Sequence, residues 1–172
     1  IVIDVRPRRH YIRGKSAAHL LGYLGEINQE ELTCGLYPEC RGGDLIGKFG
    51  VEKTYDKFLR GKRGGRQVEV NASGQVVRVL KTVDAEPGNN VFLTIDRELQ
   101  ELAEQMLEEK AGAVVAMDPS SGDVLSLASS PSFDQNAFVS GLSPRKWNEL
   151  ITNPFRPMEN KAIQAEYPPA ST

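Results

Sequence analysis

Ser171 is the residue with the most chemical promise. It follows Tyr167-Pro168-Pro169-Ala170, and prolines stiffen the chain leading to it. A serine becomes a nucleophile when it is held at a fixed place beside a proton acceptor. A rigid lead-in is compatible with the first need, although a lone serine after prolines is usually just a helix N-cap. Cys34 and Cys40 flank a Gly/Pro loop, a spacing that permits a small disulfide in an oxidising compartment and equally two reduced thiols. With the distant His10 and His19 they make a poor zinc set, so no metal and no cofactor are expected. Gly42 to Lys48 read G-x-x-x-x-G-K, the outline of a phosphate loop. Phe49 stands where a hydroxyl should meet magnesium, and no apolar strand precedes the run, so it reads as a glycine-rich connection. The basic loop Arg60–Arg66 could grip an anionic polymer or simply be solvated. Asn71-Ala72-Ser73 is a formal glycosylation sequon with no other feature to support it.

The stretch Ala113 to Ser129 is the scaffold from which such chemistry would be positioned. Ala113–Met117 and Val124–Ala128 flank Asp118-Pro119-Ser120-Ser121-Gly122 and read as a β-hairpin. Pro119 presets the first corner of the turn, and Gly122 can take the left-handed conformation at its end. Neither strand alternates cleanly, which predicts cover on both faces. Upstream, Asp96 is a helix N-cap, with Leu99, Leu102, Ala103, Met106 and Leu107 on one stripe and Gly112 as the stop.

Further helices are expected at Ala17–Leu21 behind Ser16, at Asn28–Leu32, at Gly50–Leu59 with Gly61 as stop, and at Asn136–Val139. A Ser143-Pro144 start predicts a helix through Ile151, with Trp147, Leu150 and Ile151 facing inward. Glu159–Ala165 reads as a short helix, with Tyr167–Ala170 extended after it. Strands are expected at Ile1–Val5, His10–Arg13 and Val91–Ile95. A second hairpin, Gln67–Ala72 with Val76–Val83, should have one face wet. Composition shifts near Pro87–Asn90, which predicts two domains, 1–90 and 91–172.

Hydrophobic residues make up 40% and charged residues 26% of the 172, as in an ordinary folded chain. A net charge of −2 gives no field that would favour nucleic acid. No apolar run reaches the ~20 residues that span a bilayer. The chain opens on IVIDV without Met and ends on Ser171-Thr172, so it reads as part of a longer protein.

The run VVAMDPSSGDVLSLASSPSFDQNAF, followed by PMENKAIQAEYPPAST, resembles the opening of the transpeptidase domain of class B penicillin-binding proteins. In that family Y-x-P-G-S-T-x-K carries the catalytic Ser-x-x-Lys, and Tyr167, Pro169, Ser171 and Thr172 match it. DLIGKFGVEKTYDKFLRGKRG and VEVNASGQVVRVLKTVDAEPGNNVFLTID resemble the family's non-catalytic pedestal, or dimerisation, domain. Order and spacing are closest to the cell-elongation members. Ala170 departs from the family's Gly, and the Lys three residues after Ser171 falls past Thr172.

The resemblance implies an α+β chain. A strand-rich irregular pedestal is followed by an incomplete transpeptidase, the serine acyl-enzyme α/β sandwich that β-lactamases share. It implies a parent enzyme, a serine D,D-transpeptidase that cross-links peptidoglycan stem peptides and is acylated by β-lactams at Ser171. The residues present would be non-catalytic. It further implies a place on the periplasmic face of the inner membrane through an anchor outside this chain. A SEDS-type glycosyltransferase and the scaffold MreC would dock on residues 1–90. A β-lactamase, a β-lactam-sensing receptor and a pure interaction module are the competing readings.

Overall fold

A computed structural model describes residues 9–166. In chain order its elements are α1 (Ala18–Leu21), β1 (Leu24–Glu26), α2 (Gln29–Thr33), β2 (Leu45–Gly47), α3 (Gly50–Thr54) and α4 (Asp56–Leu59). Then come β3 (Gly65–Val70), β4 (Val76–Val83), α5 (Arg97–Met106), β5 (Gly112–Met117) and β6 (Val124–Ser130). α6 (Gln135–Val139), α7 (Pro144–Thr152) and α8 (Lys161–Gln164) complete the described chain. The strands form antiparallel pairs, β1 with β2, β3 with β4 and β5 with β6. The mixed helix-and-strand class expected from the sequence stands.

Packing groups the chain otherwise than by sequence order. Residues 55–92 form one compact unit, and 9–54 together with 93–166 form another. The division falls inside the expected helix 50–59. Tyr55, at φ −106° and ψ 17°, interrupts it, so α3 belongs to the second unit and α4 to the first.

In the first unit, Gly61 ends α4 at φ +67°, where a Cβ would run into the carbonyl of Glu86. The hairpin β3–β4 is exposed along the whole of β4 and nearly all of β3, so both its faces are open where one was expected to be. Arg60 is held by Asp56, and Lys62 pairs with Glu86 at 2.8 Å, so the basic loop spends charge on its own unit.

The second unit is built around β5–β6 and α5. Asp96 caps α5, its carboxylate accepting from Leu99 N at 2.9 Å. The buried stripe is Gln100, Ala103 and Leu107, and the last two pack on Ala128 and Val114 of the hairpin. Leu102 and Met106, expected on that stripe, lie on the exposed side. The helix stops before Gly112. Leu107 is its C-cap, Glu109 turns the chain at φ +63°, and Gly112 already pairs with Ser130. The hairpin turn is as read: Asp118 accepts from Ser120 N at 2.8 Å, and Gly122 sits at φ +81°. Cover on both faces is found at β6 alone among the described residues: Ser126 and Ala128 are buried on the α5 side and Ser129 on the other, while β5 has one exposed face. β5 alternates, leaving Val115 47% and Met117 56% exposed. α5 takes one face, while on the other α8 contacts the strands.

Two expected strands fail because their backbone groups find partners far along the chain. Val91–Ile95 forms no strand, yet Thr94 Oγ1 donates to Val124 O at 2.7 Å and Asp96 N to Leu125 O at 2.8 Å. His10–Arg13 is no strand either. Tyr11 exchanges backbone bonds with the Asn136 side chain, and Gln135 N reaches Gly14 O at 2.9 Å. Ser16 caps nothing, since α1 starts from Ala17 at φ +50°. α2 has the expected cap, in which Asn28 and Glu31 exchange reciprocal bonds. α7 starts at Ser143 as expected, but Trp147 and Ile151 are 43% and 54% exposed rather than inward. Ile1–Val5 and Tyr167–Ala170 lie outside the described residues.

Candidate active site

Ser171 lies outside the described residues; the structure gives the platform that precedes it. α8 ends at Gln164, seven positions before Ser171. This short helix is held by its cap. Asn160 Oδ1 accepts from Ala162 N at 3.1 Å, and Gln164 Oε1 accepts from Asn160 N at 2.8 Å. Two other parts of the second unit grip the turn before it. On β6, Ser129 Oγ accepts from Lys161 N at 3.0 Å and donates to Glu159 O at 3.4 Å. On α1, His19 Nε2 lies 2.7 Å from Pro157 O, and Asn160 Nδ2 donates to His19 O at 3.5 Å. A carbonyl only accepts, so Nε2 carries the proton. Burial is the main cause that pushes the His19 imidazole below its ordinary value; the bond to Pro157 opposes it. Burial likewise lowers Lys161, whose Nζ donates to Arg156 O at 3.1 Å. Leu150, Ile151, Arg156, Met158, Glu159 and Gln164 line a shallow, open depression beside this turn.

The β6 side of the platform is fixed by Gln100, a polar residue in the buried stripe of α5. Its Oε1 accepts from Leu127 N at 2.8 Å and Ser126 Oγ at 3.1 Å. Its Nε2 donates to Glu104 Oε1 at 2.7 Å and Leu127 O at 3.2 Å. Glu104 Oε1 also receives Ala17 N at 2.6 Å, which ties α1 to the same network. A second buried group sits at Glu52, which accepts from Tyr11 OH at 3.0 Å and pairs with Arg9 at 2.9 Å. Burial first, then the Glu52 carboxylate, drives the Tyr11 phenol well above its ordinary value. Sequence reasoning missed Gln100, His19, Glu52 and Gln135, because polar residues in amphipathic runs read as solvent-facing.

The other sequence candidates do not converge. Cys34 and Cys40 stand as thiols rather than as a disulfide, and Cys34 Sγ donates to Glu31 O at 3.0 Å. The described residues hold no cluster of His, Cys, Asp and Glu fit for a metal ion. The lysine of the G-x-x-x-x-G-K run is engaged by the Glu31 carboxylate. No helix among the described residues is long and apolar enough to cross a membrane.

Comparison with known proteins assigns the scaffold. The profile of the penicillin-binding protein dimerisation domain matches residues 1–93, more than half of the chain. The chain belongs to the penicillin-binding protein family. The profile of the penicillin-binding protein transpeptidase domain matches residues 112–172. Peptidoglycan D,D-transpeptidase MrdA of Acinetobacter baumannii is 41% identical over 170 residues, 99% of this chain and 25% of that protein. MrdA of Escherichia coli K12 is 40% identical over 169 residues, 96% of this chain and 27% of the relative. The chain therefore spans about a quarter of the length of these curated relatives. Among solved structures, penicillin-binding protein 2 of Helicobacter pylori in complex with MreC superposes with a TM-score of 0.71 at 35% identity, covering 89% of this chain and 28% of that one. Pseudomonas aeruginosa PBP2 in complex with WCK 5153 gives the same TM-score at 38% identity, covering 89% of this chain and 30% of that one. The resemblance to class B penicillin-binding proteins, elongation members included, is thus shown across the chain.

Proposed function

We propose that this chain is a portion of a peptidoglycan D,D-transpeptidase and that Ser171 is its nucleophile. The observation that carries the reading is the transpeptidase match over 112–172, which ends on the Tyr-x-Pro-x-Ser-Thr pattern, with Ser171 seven residues past the last residue of α8. In the proposed reaction, Ser171 Oγ loses its proton to the family's lysine three residues on. It then forms an ester with the penultimate D-alanine carbonyl of a stem peptide. The amide C–N bond breaks, and the terminal D-alanine leaves with a proton. The amine of a second stem attacks the ester, the cross-link forms, and the serine hydroxyl is restored. A β-lactam would acylate the same oxygen. The residues described here supply the platform and no base, so the chain alone is expected to be inert. The dimerisation-domain match over 1–93 favours this reading over a β-lactamase or a β-lactam sensor.

The parent would sit at the periplasmic face of the inner membrane, anchored by a segment outside this chain. Residues 1–90 would serve as spacer and docking surface for MreC and a SEDS-type glycosyltransferase. Support for docking comes from the open edges and exposed valines of β3–β4, and from the H. pylori relative, which was solved with MreC.

The test is labelling of the full-length parent by a fluorescent penicillin. Labelling is expected in the wild type and absent in Ser171→Ala; persistent labelling of the variant would refute the assignment.

A further inference from the structure

Two chain segments more than a hundred residues apart meet at the turn before α8, and His19 is the part of that meeting with tunable chemistry. His19 is buried at 3% exposure on α1, with its ring and that of Phe133 in a T-shaped contact at a centroid distance of 5.2 Å and an interplanar angle of 81°. It engages the turn twice, through Nε2 to Pro157 O and through its own carbonyl to the Asn160 side chain. Asn160, itself 2% exposed, is the cap on which α8 is built. Among the described residues, Ser129 on β6 also grips the same turn, through its side-chain hydroxyl. α8 has four residues, too few to hold itself in water. Its position therefore depends on these grips.

We propose that His19 is a positioning residue for the segment that carries Ser171, a clasp that holds the turn 157–160 while its ring is neutral and releases it when the ring is charged. This rests on the reading of Ser171 given above. The charges facing His19 are few. Lys161, beside the cap on α8, opposes a second cation, while Glu104 on α5 favours one. Glu104 is already shared between Ala17 N and Gln100 Nε2. α3, packed on α1, brings Glu52, which is held by Arg9 and Tyr11, and Lys53, a further cation. β6 brings no titratable side chain. Protonation leaves the Nε2–H bond to Pro157 O in place and strengthens it, but burying the charge at a ring 3% exposed costs more. The ring is therefore held below its ordinary value of 6.5, and a charged ring favours the released, solvated state. The sign follows from linkage. The released state takes up a proton that the clasped state refuses, so the clasp is complete above about pH 6.5 and weakens as the pH falls below it.

The experiment measures the second-order rate of acylation by a fluorescent penicillin in the full-length protein, from pH 5 to 8. His19→Phe keeps a ring beside Phe133 but has no donor for Pro157 O, and is expected to acylate at least about tenfold more slowly near neutral pH. His19→Gln places an amide N–H near the Nε2 position and cannot titrate. It is expected to restore the rate to within about twofold near neutral pH and to lose part of the wild-type fall on the acid side. A wild-type rate in His19→Phe overturns the proposal, as does a pH profile of His19→Gln that superimposes on the wild type. If His19→Phe does not fold, the His19→Gln profile decides alone. Ser171→Ala separates the two readings. Residual labelling there sinks the nucleophile assignment, whereas a dead Ser171→Ala with unaffected His19 variants sinks only the clasp.

Discussion

The two long hairpins share a topology and differ in everything that surrounds them. β3–β4 and β5–β6 are both antiparallel, both carry register irregularities, and both are rich in valine. β4 is exposed at each of its eight positions, whereas β6 buries Ser126, Ala128 and Ser129 beneath α5 and α8. A two-stranded ribbon gains little from its ladder alone and needs a helix or further strands over one face to become a core. α5 supplies that cover with Ala103 and Leu107, and Gln100 satisfies β6 polar groups that the cover takes from water. Apolar composition in a strand is therefore a request for cover. β5–β6 receives it within the described chain, from α5 on one face and from α8 around Ser129 on the other, and β3–β4 keeps the open edges and valines that a partner could use.

The comparison breaks most easily at Gln100. Gln100→Ala removes every bond from the α5 carboxamide to β6, strands Leu127 N and opens a small void. A loss of about 2–4 kcal/mol is expected, read as a fall in the urea midpoint of the transition that reports the β5–β6 unit. A loss under about 1 kcal/mol would mean that the network is ornamental and apolar cover alone holds the hairpin. A smaller effect is expected at the helix end. Asp96→Ala deletes the cap of α5 while leaving the buried stripe intact, and should cost about 1 kcal/mol by the same measurement. The smallest belongs to the open hairpin. Val77→Glu, 64% exposed on β4, should move stability by no more than about 0.5 kcal/mol. On the docking proposed above, the same change in the full-length protein should reduce capture by MreC. Unchanged capture would remove β4 from the docking surface, and a large stability loss would show that β3–β4 is a core element after all.

How much was legible depended on the reach of the interaction. Caps at Asn28, Asp96 and Ser143 and the turn at Asp118–Gly122 were readable because each is completed within a few residues. The stop of α5 was misread because Glu109 adopts the left-handed conformation that Gly112 seemed better suited to, three residues before β5 begins. The inward face of α7 was misread because periodicity shows which residues share a face and says nothing about whether that face is covered. The candidate site was half legible. Ser171 stood out by motif, while His19, Asn160, Ser129 and Gln100, which build the platform before it, carry no local signature.

By itself the sequence determined the hairpin of 113–128, the helix capped by Asp96, the mixed class and the kinship with penicillin-binding proteins, since each is written in neighbouring residues or in an ordered string of motifs. Only the tertiary structure decided that residues 9–54 pack with 93–166, and that a histidine, a glutamine and a glutamate lie inside. A buried polar side chain is tolerated where a distant carbonyl, amide or charge satisfies it, and no local pattern announces that partner.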